Sequence, residues 1–212
     1  MSSSLSRNTG GRGGCADDVE EGMKRYGVSS CGSRLDLHTL TETLVAKFVG
    51  MDAAVISSMG FATNSTFIPA MVSKGCLVIS DELNHASIRF SVRSSGAQVR
   101  VFKHNDMKKL EALLREIITQ GQPKMHRPWK KILIIVEGTY SMEGTMVEMP
   151  GLLELKEKYK LYLFVDEAHS IGAIGLHGRG VVAALVSTRE ISTFLWEHSP
   201  NRKVSRWRQD PH

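Results

Sequence analysis

Apolar runs and helical spacings alternate along most of the chain. In LHTLTETLVAKFV (37–49), Leu37, Leu40, Leu44, Val45 and Phe48 recur at three- and four-residue steps, which predicts a helix with one apolar face. AAVIS (53–57) reads as a strand leading into Gly60. FATNSTFIPAMVSKG follows as a helix with Pro69 inside it and Gly75 closing it. CLVIS (76–80) is a strand ending at Asp81, ASIRFSVRSSG a helix ending at Gly96, and AQVRVF (97–102) a strand. DMKKLEALLREIITQG is a helix with Asp106 as N-cap and Gly121 beyond its end. KILIIV (131–136) is a wholly apolar strand ending at Glu137. PGLLELKEKYK (150–160) is a helix with Pro150 in its first turn, and LYLFV (161–165) is a last strand running into Asp166.

Continuous Val/Ile/Leu runs separated by helices predict an α/β fold: a mostly parallel sheet covered on both faces, three layers α/β/α. Ligands of such sheets bind beyond the C-terminal strand ends. Those ends carry Ser58, Asp81, His104, Glu137 and Asp166. Any one of them is ordinary as a solvated loop residue; five on one edge predict a ligand cleft.

Composition adds boundaries rather than direction. The 212 residues are 42% hydrophobic and 23% charged, enough for one domain with a core. The net charge of +5 is mild, and the basic end NRKVSRWRQDPH reads as a solvated tail, not a nucleic-acid reader. Three cysteines, Cys15, Cys31 and Cys76, without a CxxC support neither a disulfide framework nor a zinc knuckle and point to a reducing setting, the cytosol or a cytosolic membrane face. The histidines lack metal-ligand spacing, so no metal site is expected. No apolar stretch approaches the ~18 residues of a membrane span, and MSSSLSRNTGGRGGC has no secretory apolar region. Residues 1–25 read as a disordered Ser/Gly-rich arm. The basic turn QPKMHRPWKK (122–131) reads as a surface loop with Trp129 packed beneath it.

The chemistry turns on LYLFVDEAHSIGAIGLHGRG (161–180), an apolar run that ends in Asp166, Glu167 and His169. A nucleotide hydrolase of the DEAH type puts a magnesium-holding Asp at such a strand end. It also needs GxxxxGK[ST], and no such run exists here. A pyridoxal-phosphate enzyme puts an Asp there to keep the pyridine nitrogen protonated, so that the ring accepts electrons. The phosphate wants the amides of a helix start, and MGFATN (59–64) stands at one.

YGVSSCGSR, MGFATNS, SDELNHASI, VEGTYSMEGTMVEMP and VDEAHSIGAIGLHGRGV together resemble the α-oxoamine synthase branch of fold-type I pyridoxal-phosphate enzymes. Within that branch, GQPKMHRPWKKILIIVEG is similar to the catalytic long-chain-base subunits of serine palmitoyltransferase. The resemblance spans about residues 26–182. It implies a partial large domain over 26–182 and a divergent basic tail over 183–212. It implies pyridoxal 5'-phosphate as cofactor, with Gly60 and Phe61 at its phosphate and Asn64 supporting that loop. His85 stacks on the ring, Ser141 lies near it, Asp166 pairs with the ring nitrogen and His169 with the phenolic oxygen. Glu137 shapes the site. The plain alternatives are that His85 is a helix cap and Ser141 a turn residue.

The implied reaction condenses L-serine with a fatty acyl-CoA, typically palmitoyl-CoA, releasing CO2 and CoA and giving 3-ketosphinganine, the first step of sphingolipid synthesis. The implied partner is a second subunit, identical or different, and the implied location is the cytosolic face of the endoplasmic reticulum. After Val182 the chain departs from the family. Its only lysine beyond DEAH is Lys203, in NRKVSRW, and no TxTKS-like run carries the family's Schiff-base lysine. The expectations are therefore an open sheet edge at the last strand, no N-terminal membrane segment, and a chain inactive by itself. A non-catalytic binding module that pairs with an intact subunit is the alternative.

Overall fold

The computed structural model describes residues 36–51, 53–57, 59–123, 126–185, 193–198 and 203–207. The predicted arm (1–25), the start of the large domain, Ser58, Cys15 and Cys31 lie outside the described residues. The helices are α1 (Asp36–Val49), α2 (Gly60–Met71), α3 (Ala86–Ser94), α4 (Met107–Gln120), α5 (Met149–Tyr159) and α6 (Gly180–Leu185). The strands are β1 (Ala53–Ser57), β2 (Leu77–Asp81), β3 (Gln98–Phe102), β4 (Ile132–Glu137), β5 (Thr139–Tyr140), β6 (Thr145–Met146), β7 (Tyr162–Asp166), β8 (Thr193–His198) and β9 (Lys203–Trp207).

One sheet runs in the order β1-β9-β8-β7-β4-β2-β3. The β3, β2, β4, β7 and β8 neighbours are parallel, while β9 is antiparallel to both β8 and β1. Strand residues alternate between two cores, as a sheet covered on both faces requires. Leu77, Ile79, Ile134, Val136, Leu163 and Val165 pack against Leu110, Leu114 and Ile117 of α4 and Met149, Leu152 and Leu155 of α5. Val78, Leu133, Ile135 and Phe164 face the other way, onto Phe67, Ile68 and Met71 of α2 and Ile88 and Val92 of α3. The three layers are those expected. Each fully buried Leu or Ile contributes roughly 1.5–3 kcal/mol, and these layers hold the strand ends rigid.

Local chemistry sets the boundaries. Asp106 caps α4, its Oδ1 accepting the Lys109 N–H at 3.0 Å, and Gly121 follows at φ 68. Pro150 stands in the first turn of α5, where a missing N–H costs nothing. The cap of α5 is Glu148, a side chain the pattern did not single out; it accepts the Gly151 N–H at 2.9 Å. Gly75 closes no helix: α2 ends at Met71, and Gly75 (φ 93) serves the turn before β2 instead.

Three features differ from expectation. Residues 139–146, within VEGTYSMEGTMV, form a small β5–β6 hairpin that apolar periodicity cannot signal in so short a segment. The apolar face of α1 is only partly packed within the described chain: Leu40, Leu44 and Phe48 are exposed, Val45 packs on a small cluster with Ala54, and Ala46 and Val49 are buried. The edge of β7 is not open. Backbone pairing with β8 extends the sheet, because TFLWEH and KVSRW supply strand-forming residues inside the segment read as tail.

Candidate functional site

Strands β4 and β7 end together, and their polar ends begin one cluster. Asp166 closes β7 beside Glu137, its register partner at the end of β4. Asp166 is 5% exposed and Glu137 6%. Asn64 sits one turn into α2, on its buried face, and its Nδ2 donates to Asp166 Oδ2 at 3.1 Å and to Ser87 Oγ at 3.1 Å. The Ala168 N–H donates to Asp166 Oδ1 at 3.0 Å. Asn64 thus turns to the end of β7, because residue 64 faces the sheet. Its Oδ1 is buried without a hydrogen-bond partner among the described residues.

His85 caps α3. Its Nδ1 accepts the Ser87 N–H at 3.2 Å and lies 2.8 Å from Ser87 Oγ, which leaves the ring proton on Nε2. The His85 backbone N–H donates to Glu137 Oε1. The cap reading and the ligand reading of His85 are therefore compatible: Nδ1 is committed to the helix, and the exposed remainder of the ring makes no hydrogen bond to another described residue. A hydrogen-bonded chain runs from His85 through Ser87 and Asn64 to Asp166. Ser87 is a site residue that motif reading missed; its position two residues after His85, at a helix start, was the available signal.

Burial dominates the electrostatics. It lifts the Asp166 carboxyl to about 6, against the lowering effect of the Ala168 and Asn64 hydrogen bonds. Burial, then the neighbouring Asp166 charge, lifts Glu137 to about 8, so Glu137 is mostly protonated at neutral pH. Tyr140 is pushed well above the usual phenol range by burial and by Asp81, and its Oη accepts the Glu137 N–H at 3.1 Å.

Gly60 is the buried first residue of α2. Its N-cap, Met59, offers no side-chain hydrogen bond to the first amides, and a helix start of this kind suits an anion. Phe61 stands half-exposed, its ring centroid 5.6 Å from that of Phe90. Below the start, Thr63 Oγ1 donates to Ser57 Oγ at 2.8 Å. His169, in the turn after β7, and Ser141, in the β5–β6 loop, are exposed and make no hydrogen bond to another described residue. The hydrogen-bonded cluster therefore holds His85, Glu137, Asn64 and Asp166 but neither His169 nor Ser141.

Glu167, the second acid of DEAH, is fully buried; its Oε1 accepts the Val182 N–H at 2.9 Å at the start of α6. It ties the turn after β7 to the start of α6. Among the described residues no group of three or more His, Cys, Asp or Glu could hold a metal ion. No described helix is long and apolar enough to cross a membrane.

Residues 30–194 match the aminotransferase class I and II family. The chain belongs to that family, which decides against the nucleotide hydrolase. It is 59% identical over 174 residues to serine palmitoyltransferase 2 of Kluyveromyces lactis, covering 80% of this chain and 31% of the relative. It is 54% identical over 168 residues to human serine palmitoyltransferase 3, covering 77% and 30%. It is 50% identical over 187 residues to long chain base biosynthesis protein 2b of Arabidopsis thaliana, covering 85% and 38%. The chain thus spans about a third of the length of these curated relatives. Among solved structures, a serine palmitoyltransferase from S. paucimobilis with bound PLP–myriocin aldimine superimposes with a TM-score of 0.73 at 27% identity, over 92% of this chain and 50% of that one. An 8-amino-7-oxononanoate synthase from Francisella tularensis, 24% identical with a TM-score of 0.68 over 92% of this chain and 54% of that one, shares the fold.

Proposed function

We propose that these residues form the cofactor-binding part of a serine palmitoyltransferase catalytic subunit. The observation that carries this reading is Asp166: a buried carboxylate at a strand end, steered by Asn64 and Ala168, whose ionised form has no cation beside it among the described residues. A protonated pyridine nitrogen is the partner it lacks. The uncapped start of α2 fits a phosphate, and the half-free ring of His85 fits a flat π system. Bound pyridoxal phosphate would supply an electron sink for a carbanion on serine. This chain's own residues do the rest. Asp166 holds a proton on the ring nitrogen, Asn64 fixes the carboxylate's orientation, and Gly60 and Phe61 lend amides to the phosphate. His169 serves the phenolic oxygen from the turn after β7, and Ser141 borders the ring from its loop. Glu137, its carboxyl raised to about 8 by burial and by Asp166, holds His85 through its backbone N–H.

The overall reaction joins L-serine to a fatty acyl-CoA, typically palmitoyl-CoA, with release of CO2 and CoA, giving 3-ketosphinganine. The partner is a second serine palmitoyltransferase subunit, identical or different, and the location is the cytosolic face of the endoplasmic reticulum. After Val182 these 212 residues contain one lysine, Lys203. They are expected to hold the cofactor without a covalent link and to turn over no substrate when tested alone; a borohydride-stable adduct at one lysine with ketosphinganine formed would refute this.

The decisive experiment titrates pyridoxal phosphate into the purified chain, following cofactor absorbance. Saturable binding is expected, weakened tenfold or more in Asp166→Ala, since a charge-assisted hydrogen bond contributes about 1.5–3 kcal/mol. Equal affinity in the two proteins would sink the reading.

A further inference from the structure

The Asp81, His104 and Thr145 side chains form a relay outside the cluster just described. Asp81 is 1% exposed at the end of β2; its Oδ1 accepts the Leu83 N–H at 2.9 Å. Its Oδ2 lies 3.0 Å from His104 Nδ1, and His104 Nε2 lies 3.1 Å from Thr145 Oγ1. A carboxylate on Nδ1 places the neutral ring's proton there and leaves Nε2 to accept the Thr145 hydroxyl. The His104 ring also meets the buried Tyr140 ring edge-on, with centroids 4.4 Å apart. The next residue repeats the grip: Asn105 Nδ2 donates to the Met146 carbonyl at 2.9 Å, and its Oδ1 accepts the Glu148 N–H at 2.9 Å.

What these contacts hold is the β5–β6 hairpin. Two residue pairs make a hairpin that is marginal by itself, and Ser141, Met142, Glu143 and Gly144 at its tip are exposed. The hairpin grows directly from Glu137, and the Gly138 N–H donates to the Asp166 carbonyl at 2.7 Å. Its placement is therefore mechanically joined to both acids of the site.

We propose that His104 is a positioning residue: by bridging Asp81 to Thr145 it fixes the 139–146 hairpin, and through it Ser141 and the Glu137–Gly138 strand end, in register with the cofactor cleft. The claim rests on the cofactor reading for its consequence but not for its geometry. Thr145 is exposed, so changing it does not threaten the core. Thr145→Val removes the hydroxyl at nearly constant shape; Thr145→Ser keeps it. Amide hydrogen exchange over residues 139–147 and affinity for pyridoxal phosphate are measured on both variants and on the unchanged chain. Thr145→Val is expected to speed hairpin exchange about fivefold to tenfold, the factor one ordinary hydrogen bond controls, with β2, β4 and β7 unaffected. Cofactor affinity should fall several-fold with it, and Thr145→Ser should restore both. Unchanged hairpin exchange in Thr145→Val, or a Thr145→Ser that behaves like Thr145→Val, overturns the bridge. Faster exchange with unaltered affinity overturns the positioning role. If the unchanged chain binds no pyridoxal phosphate, the cofactor reading has failed and with it the positioning role, while hydrogen exchange still decides the bridge.

Discussion

Glu137 and Asp166 end adjacent strands in register, and both carboxyls are raised, to about 8 and about 6. A carboxyl raised by folding binds its proton more tightly in the native state than in the unfolded one. Stability is then greatest below the unfolded value, near 4, and falls as pH rises through the folded value. The slope approaches 1.4 kcal/mol per pH unit where one such proton is at stake. The ligand-free chain should therefore melt at a higher temperature at pH 6 than at pH 8.5. Glu137→Gln, which imitates the protonated acid and can still accept the His85 N–H, should flatten that dependence. Thermal melts across this pH range decide it; a mutant with the parent's slope would place the titrating group elsewhere. Gly180 is the second residue where one atom decides. Its φ is +89, and an added Cβ would overlap both carboxylate oxygens of buried Glu167. Gly180→Ala should cost about 2 kcal/mol or more, read as a lowered denaturant midpoint.

The elements show what pattern can and cannot carry. β2, β4 and β7 were legible because strands buried on both faces must be apolar at every position, and α4 because Asp106 and Gly121 mark its two ends. Of the candidate cluster, Glu137 and Asp166 were legible as polar strand ends and His85 as a motif residue, whereas Asp81 and His104 pair with each other outside it. Ser87, Glu167 and the hairpin latch were not, since their roles depend on which strands become neighbours: Asn64 reaches Asp166 across 102 positions of sequence. Helix α1 shows the opposite failure. Its periodicity correctly predicts a helix, yet its apolar face at Leu40 and Leu44 is exposed, so periodicity did not reveal which face this chain would bury. Leu44→Ala should accordingly change unfolding free energy by no more than about 0.5 kcal/mol. Leu152→Ala, fully buried in α5, should cost about 2–5 kcal/mol. Comparable losses in urea melts of the two variants would mean that the α1 face is covered in solution.

At the scale of the whole molecule, the sheet is continuous only because β8 and β9 lie between β7 and β1. β1 pairs with β9 and with no other described strand, and it leads to the start of α2 at Gly60. The two ends of the proposed cofactor cleft, Gly60 after β1 and Asp166 at the end of β7, are thus joined through the sheet by residues 193–207. None of the motifs read from the sequence falls in those residues, so their contribution follows from strand pairing alone. A chain stopped at Leu185 would expose the backbone edges of β7 and β1, and unpaired edges recruit other chains. It should self-associate in sedimentation velocity under conditions where the 212-residue chain does not, and its affinity for pyridoxal phosphate should drop. The helix packing of α2 onto α3 and the sheet would persist, so far-ultraviolet circular dichroism should lose strand signal while keeping helix signal. A shortened chain that stays dispersed and binds the cofactor as tightly as its parent would mean that the α2–α3 layer alone sets the cleft, with β8 and β9 adding nothing to it.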